Sequence, residues 1–112
     1  MKIEFEKIET SVLPHFKDGE KEYRAKMFVD ANNRIMKGTL IPGASIGMHT
    51  HTSSSETIFI TAGKGHVIED GQISSVKAGD CLYCPQGSSH SLVNDSNEDL
   101  NFFAVVPEHM KA

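Results

Sequence analysis

The sequence lacks any hydrophobic run long enough to cross a membrane, and its N-terminus, MKIEFEKIET, alternates charged with apolar residues. This pattern indicates neither a signal peptide nor a membrane span, so we expect a cytoplasmic location. Basic residues are also scarce, since 11 Lys and Arg stand against 15 Asp and Glu for a formal net charge of −4. Nucleic acid and anionic membrane surfaces are bound by basic patches, and we therefore expect neither as a partner.

Cysteine is almost absent, and the only two, Cys81 and Cys84, lie in the sequence CLYC. This spacing can indicate a redox pair or half of a zinc site. The apolar and aromatic residues around it predict a strand, in which positions three apart point to opposite faces about 10 Å apart, too far for a disulfide. No second pair completes a zinc site, so we interpret both residues as core thiols.

Helical periodicity is weak along the whole chain, and there is no low-complexity segment or linker. The length of 112 residues suits one compact domain, and we predict a single domain over 1–112. Gly and Pro divide the chain into short segments rich in Ile, Val, Phe, Tyr and Thr, which are typical of strands. HVIEDGQISSV predicts a hairpin that turns at Asp70–Gly71. Together these segments predict an all-β sandwich or small barrel.

The N-terminal segments are polar on at least one side. Residues 2–8, KIEFEKI, alternate around Ile3 and Phe5 and predict an edge strand. The charged stretch HFKDGEKEYR that follows Pro14 predicts a solvent-exposed excursion before the next strand.

One short stretch, GMHTHTSSSET, contains residues suited to bind a metal. His49 and His51 would face the same side of a strand, because side chains alternate. Glu56 lies five residues further on, and the TSSS run can turn the chain so that Glu56 points back at both histidines, with Ile58 and Ile60 on its face. His90 opens a distant strand, HSLVN, and three imidazoles with one carboxylate suit a divalent transition metal. Taken one by one, each of these residues has an ordinary alternative as a surface or loop residue.

Glycines and prolines surround these four residues at regular spacing. The first block contains Gly43, His49, His51, Glu56 and Gly63, and the second contains Gly79, Pro85, Gly87, His90 and Asn94. In this spacing the sequence closely resembles the cupin superfamily, of the small single-domain (cupin 2) type. Both signature motifs, at 43–63 and 79–94, are present at every specified position, and with the stretch between them they cover nearly half of the chain.

The resemblance implies a cupin double-stranded β-helix, a jelly-roll-like antiparallel barrel of six to eight strands. It implies one divalent transition metal, of the set Fe, Mn, Ni, Co, Cu and Zn, bound by His49, His51, Glu56 and His90. The first three ligands would come from one hairpin. A closed structural zinc site would use the same four residues. The resemblance also implies a homodimer that exchanges N-terminal strands, for which KIEFEKI is a candidate.

The cupin fold hosts isomerases, dioxygenases, decarboxylases, lyases and sugar binders, so the resemblance does not identify a reaction. Oxalate-processing cupins typically carry Arg three residues before the first ligand histidine. Ile46 occupies that position here, which disfavours oxalate decarboxylation. We expect a small metalloenzyme acting on a small oxygenated metabolite, by isomerase, dioxygenase or lyase chemistry. The alternative is a non-catalytic module that binds or senses a small, sugar-like molecule with the same metal. The sequence identifies no catalytic residue.

Residues outside the motifs give weaker signals, and a solvent-facing position is the common alternative for each. The candidates for a cationic clamp inside the pocket are Arg24, Lys26, Arg34 and Lys37. The candidates for substrate contact are His66, Tyr83 and Phe103. His15 and His109 are expected to be exposed.

Overall fold

The structure is a computed structural model that describes residues 1–109. Ten strands make up most of the described chain, with short 3-10 turns at Phe5–Lys7 and Phe16–Asp18. The strands are β1 (Ser11–Pro14), β2 (Glu22–Val29), β3 (Asn33–Leu40), β4 (His49–Thr50), β5 (Glu56–Ala62), β6 (Lys64–Glu69), β7 (Gln72–Lys77), β8 (Cys81–Cys84), β9 (Ser89–Val93) and β10 (Leu100–Pro107). The predicted all-β class is confirmed.

The strands form two antiparallel sheets that face each other. The first has six strands in the order β1-β2-β3-β10-β5-β8, and the second has four in the order β4-β9-β6-β7. This is the expected double-stranded β-helix, built from ten strands instead of six to eight. Strands adjacent in a sheet are often far apart in sequence, and this arrangement allows residues from both motifs to meet.

Period-two alternation places the core between the sheets. In β10, Leu100, Phe102 and Ala104 are almost completely buried, while Phe103 and Val105 alternate with them on the outer face. Tyr23 of β2 stacks on Phe102, with ring centroids 5.7 Å apart. Burial of each large apolar side chain stabilises the fold by about 1.5–3 kcal/mol.

The predicted hairpin at Asp70–Gly71 is confirmed. It joins β6 to β7, and its two central residues have φ angles of 46° and 81°. Two-residue turns with positive φ at both positions match the twist of the flanking strands, and Gly adopts this conformation without a steric penalty.

The prediction of an edge strand over residues 2–8 is wrong. Phe5–Lys7 forms a 3-10 turn, and the edge of the large sheet is β1. The turn places Phe5 against the outward-facing Phe103 of β10, with ring centroids 5.7 Å apart, while Lys7 pairs with Glu4 at 3.0 Å. Packing on the face of a sheet therefore outweighs the strand pattern. The homodimer stays a prediction, and residues 2–8 do not supply a strand for it to exchange.

The predicted excursion after Pro14 is only partly exposed. Phe16 packs against Tyr23, with ring centroids 5.4 Å apart, and Gly19 is buried. Gly47 N–H donates to the Phe16 carbonyl at 3.0 Å, and Ser45 N–H donates to the Glu20 carbonyl at 2.9 Å. The segment is therefore fixed to the chain that leads into β4.

No helix among residues 1–109 is long and apolar enough to cross a membrane.

The two cysteines differ in environment. Both are free thiols in β8, as the alternation argument predicts, but Cys81 is exposed and only Cys84 is a core residue. The interpretation of Cys81 as a core thiol is wrong because its face of β8 points outward, beside Phe59 of β5. Burial, with help from nearby carboxylates, raises the pKa of Cys84 to about 12.

We expect Ellman's reagent at pH 8 to label one thiol quickly in the native protein, because only Cys81 is accessible. The second thiol, Cys84, should react only on unfolding. The variant Cys81→Ser should lose the fast phase and keep the slow one. Two native thiols reacting at the same rate would contradict the burial of Cys84.

Candidate metal centre

The four predicted ligand residues meet at one end of the barrel interior. His49 of β4 lies directly opposite His90 of β9 in the small sheet, and Glu56 is the first residue of β5 in the large sheet. His51 lies on the connection between β4 and β5. The expected hairpin is wrong, because β4 and β5 belong to different sheets. The TSSS run is instead a corner between sheets, which turns Glu56 back toward the histidines as expected.

The distances between donor atoms match one coordination geometry. His51 Nε2 lies 2.9 Å from His90 Nε2 and 3.1 Å from Glu56 Oε1, and His90 Nε2 lies 2.9 Å from Glu56 Oε1 and 3.1 Å from His49 Nε2. The separation between His49 Nε2 and Glu56 Oε1 is longer, 3.9 Å. Bonds of about 2.1 Å give edges of about 3.0 Å between neighbouring octahedral ligands and about 3.4 Å between tetrahedral ones. The short edges therefore fit an octahedral ion better than a closed tetrahedral zinc.

The histidine tautomers also fit a metal. His49 Nδ1 lies 2.8 Å from the Gly47 carbonyl and His51 Nδ1 lies 2.9 Å from Ser54 Oγ. A carbonyl only accepts hydrogen bonds, so His49 Nδ1 carries a proton and its Nε2 presents a lone pair to the cluster when the ring is neutral. Lone pairs of neighbouring imidazoles that face each other at about 3 Å repel unless a cation or proton lies between them.

Glu56 is the anionic member of the cluster, and it is buried together with His51 and His90. Burial alone would raise the pKa of its carboxyl group. The contacts with His49, His51 and His90 outweigh burial and hold the pKa of Glu56 well below its usual range. The carboxylate is therefore ionised, as a metal ligand must be.

The approach of the chain to β4 requires glycine at position 47. A Cβ atom there would collide with the Lys17 carbonyl, and no rearrangement of a flexible side chain could relieve a backbone contact. Gly47 also receives the Nδ1 hydrogen bond of His49. The segment around Phe16 thus helps to set the orientation of the first histidine.

The cluster opens into a pocket of about 370 Å³. Its apolar walls are Phe16, Val29, Met36, Ile46 and Val106. Its polar and charged residues, besides the cluster, include Lys17, Asp30, Asn32, Arg34, Thr52, Ser53 and Glu108. The β2–β3 turn, the Phe16–Asp18 turn and the TSSS corner therefore enclose a cavity of the size that holds small organic ligands.

Of the four candidates for a cationic clamp, only Arg34 lines this pocket. Lys37 and Lys26 lie opposite each other in β3 and β2 and point to the outer face. Their side chains have the opposite parity to those of Met36 and Met27, which face inward. Arg24 is also outward and binds Glu22 at 2.6 Å.

The candidates for substrate contact lie away from the site. His66 Nδ1 contacts Asp95 at 2.7 Å, and neither residue lines the pocket. Tyr83 is 58% exposed, and Phe103 packs under Phe5 on the outer face. These three residues are therefore ordinary strand residues outside the pocket lining.

The two histidines that lie before and after the motif region, His15 and His109, have different outcomes. His15 is exposed, as expected. His109 is only half exposed, because its Nε2 contacts Ser55 Oγ at 2.9 Å. The C-terminal end of β10 is thereby held against the TSSS corner.

Two residues near the site were missed by the sequence analysis. Ser54 was assigned only to a turn, although its hydroxyl fixes the ring of His51. Tyr23, which lines the pocket, lies near the end of the HFKDGEKEYR stretch that was expected to be solvent-exposed. Burial, with the nearby Glu56 carboxylate, raises the pKa of Tyr23, and its hydroxyl donates to Met36 Sδ at 3.5 Å. The parity shared by Tyr23, Ala25 and Met27 was the available signal, but parity alone does not identify the inward face.

The fold and the cluster define a class, the double-stranded β-helix proteins with a site able to bind one metal ion. Within it the chain belongs to the Cupin_2 family, whose cupin domain profile matches residues 36–106. The chain is 40% identical over 67 residues to an oxalate-binding protein of Thermotoga maritima. That match spans 60% of this chain and 55% of the length of the relative.

Solved structures agree with this assignment. A crystal structure described as a predicted oxalate decarboxylase from Thermotoga maritima superposes with a TM-score of 0.90 at 27% identity, over 96% of this chain and 99% of the other. A cupin sugar phosphate isomerase from Silicibacter pomeroyi superposes with a TM-score of 0.78 at 23% identity, over 96% of this chain and 76% of the other, and supports the fold alone.

We expect the variant His51→Ala to lose stoichiometric metal in elemental analysis of the purified protein, because three donors remain where four converge. His66→Ala is the matched control, since it removes an imidazole from a strand outside the site. Equal metal content in the parent and in His51→Ala would contradict the site.

Ser54→Ala should weaken metal binding about tenfold, because outer partners of ligand histidines typically contribute 10- to 100-fold to affinity. The measurement is competition with a chromophoric chelator. Ser53→Ala serves as control, because the neighbouring hydroxyl makes no hydrogen bond to a histidine ring among the described residues. An unchanged affinity in Ser54→Ala would show that the contact does not orient His51.

Proposed function

We propose that this protein holds one divalent transition metal through His49, His51, Glu56 and His90 and uses it to bind a small acid with two adjacent oxygen donors, as in oxalate. The observation that carries this proposal is the convergence of four donor atoms beside a cavity of about 370 Å³, which His49, His51 and Glu56 line. A structural ion would not need an open cavity beside it.

The donor set supports a transition metal of the expected group. Three imidazole nitrogens and one carboxylate oxygen suit Fe, Mn, Ni, Co, Cu and Zn alike. When bound, such an ion would act as a Lewis acid that attracts and polarises carboxylate oxygens. An octahedral ion with four protein ligands leaves two positions, which is the number that a chelating acid needs.

The walls around the cluster favour binding. Ile46, which is 6% exposed, presents an apolar surface where oxalate-processing cupins place an arginine. The Tyr23 hydroxyl is buried and bonded to Met36, and its raised pKa makes it a poor proton donor. The oxalate-binding protein of Thermotoga maritima supports the same class of ligand.

Turnover is the second candidate, and one observation favours it. Asp30 and Glu108 are titratable groups in the pocket lining that are not part of the cluster, as an isomerase or lyase requires. Asp30 Oδ1 accepts the backbone N–H groups of Asn32 and Asn33 at 2.9 and 2.8 Å, so Glu108 is the freer of the two.

We expect isothermal titration calorimetry to detect oxalate binding to metal-loaded protein and not to metal-free protein, because the ion supplies the electrophile. His51→Ala, treated with the same metal, should give no oxalate signal, while His66→Ala should bind as the parent does. Binding of equal strength without metal would contradict the proposal.

The same samples separate binding from turnover. Incubation with oxalate, followed by carbon-13 NMR, should show oxalate unchanged after many equivalents have been offered. Steady formation of formate and carbon dioxide, abolished in Glu108→Gln, would contradict the binding proposal and would show that the protein is an enzyme that turns over oxalate.

A further inference from the structure

We propose that Arg34 recognises a second carboxylate of the bound acid, so that the pocket selects a dicarboxylic acid longer than oxalate. This inference rests on the proposed function and specifies its ligand. It is carried by the position of Arg34, by its lack of an ion-pair partner among residues 1–109 and by the size of the cavity.

Strand register places Arg34 at the same height in the barrel as Glu56. Arg34 pairs with Val29 on one side and with Val106 on the other, and Val105 pairs with Thr57, the residue after Glu56. Arg34 shares its parity with the buried Met36 and lines the pocket, with its side chain exposed to solvent. β3 and β5 lie two strand spacings apart in the same sheet, so the backbones at Arg34 and Glu56 are about 10 Å apart.

The guanidinium group of Arg34 is available for a ligand. It makes no salt bridge with any carboxylate of residues 1–109, whereas Arg24 on the outer face is paired with Glu22. An arginine offers five donors in a planar fork that matches a carboxylate. Its position on the same sheet as Glu56, about 10 Å away and without an ion pair among these residues, suits the far end of a ligand whose near end binds the metal.

The balance of charge in the pocket is compatible with an anionic ligand. Lys17 and Arg34 line the cavity with three carboxylates, those of Asp30, Glu56 and Glu108. With a divalent ion bound, positive charges exceed negative ones by one.

The cavity is larger than a two-carbon acid requires. A volume of about 370 Å³ falls in the range of about 300–1,000 Å³ typical of pockets for drug-sized ligands. An acid that extends from the cluster to Arg34 would fill this space along the apolar surface of Met36 and Val106. A chelating end and a carboxylate end separated by a short methylene chain match that path.

The test compares two acids that share their chelating end. 2-Oxoglutarate carries a far carboxylate, and 2-oxopentanoate carries a methyl group in its place. In calorimetry on the metal-loaded full chain, 2-oxoglutarate should bind at least about tenfold more tightly, since a charge-assisted fork contributes that much. Arg34→Gln should remove this preference and leave the affinity for 2-oxopentanoate within about twofold of the parent.

Two further variants serve as controls. Arg24→Gln makes the same change in net charge on the outer face and should keep the preference in full. Arg34→Lys keeps the positive charge without the planar guanidinium fork and should retain only part of the preference for 2-oxoglutarate. Metal content and thermal unfolding of each variant establish that the site and the fold are intact.

The outcomes separate this inference from the proposed function. If oxalate and 2-oxopentanoate bind the metal-loaded parent but 2-oxoglutarate binds no more tightly, the role of Arg34 is refuted and the proposed function stands. If Arg34→Gln weakens both 2-oxo acids equally, Arg34 acts on the chelating end and the inference is likewise refuted. If none of the three acids binds, the proposed function fails and this inference fails with it.

Discussion

The arrangement of this barrel depends on the repulsion and attraction among four donor atoms at one end of its interior. Three imidazole rings turn their Nε2 atoms toward a buried, ionised carboxylate, with most separations near 3 Å. Such a group is costly to bury without a cation, since charge and lone pairs are removed from water together. The fold tolerates the group because His49 and His51 are held through their other ring nitrogens, by Gly47 and Ser54. Because the donor side chains are already held in place, a metal ion would bind without the entropy cost of ordering them.

Each part of the cluster is fixed by a different level of structure. Strand pairing places His49 opposite His90, and the corner between sheets brings His51 and Glu56 to the same point. Backbone contacts around Phe16 and Gly47 hold the chain that enters β4. The consequence is that residues outside the motifs orient the ligands within them, although they touch no donor atom.

The sequence allowed the strands, the hairpin at Asp70–Gly71 and the four clustered residues to be predicted, because period-two alternation and turn chemistry are local properties. Arg34 and Lys37 could not be told apart as clamp candidates, because the pattern NRIMKGTL has apolar residues on both faces. Phe5 packs against Phe103, which is distant in sequence, and the alternation of residues 2–8 contains no sign of this contact. The local pattern therefore predicted a strand where the chain forms a 3-10 turn. The same limit explains why β4 and β5 were expected to form a hairpin, since sheet membership is decided by long-range partners.

The motifs that identify a cupin leave its ligand open, and this chain shows why. All four clustered residues come from the two motifs, whereas more than half of the remaining pocket-lining residues lie before the first motif, in β2, β3, the turn between them and the Phe16–Asp18 turn. A family can therefore keep its metal chemistry while changing the ligand through these segments alone. In this protein the segments before the first motif contribute Lys17, Asp30 and Arg34 to the pocket lining. Selectivity for a longer acid would therefore depend on Arg34, two strands away from Glu56 in the same sheet, and not on the clustered residues themselves.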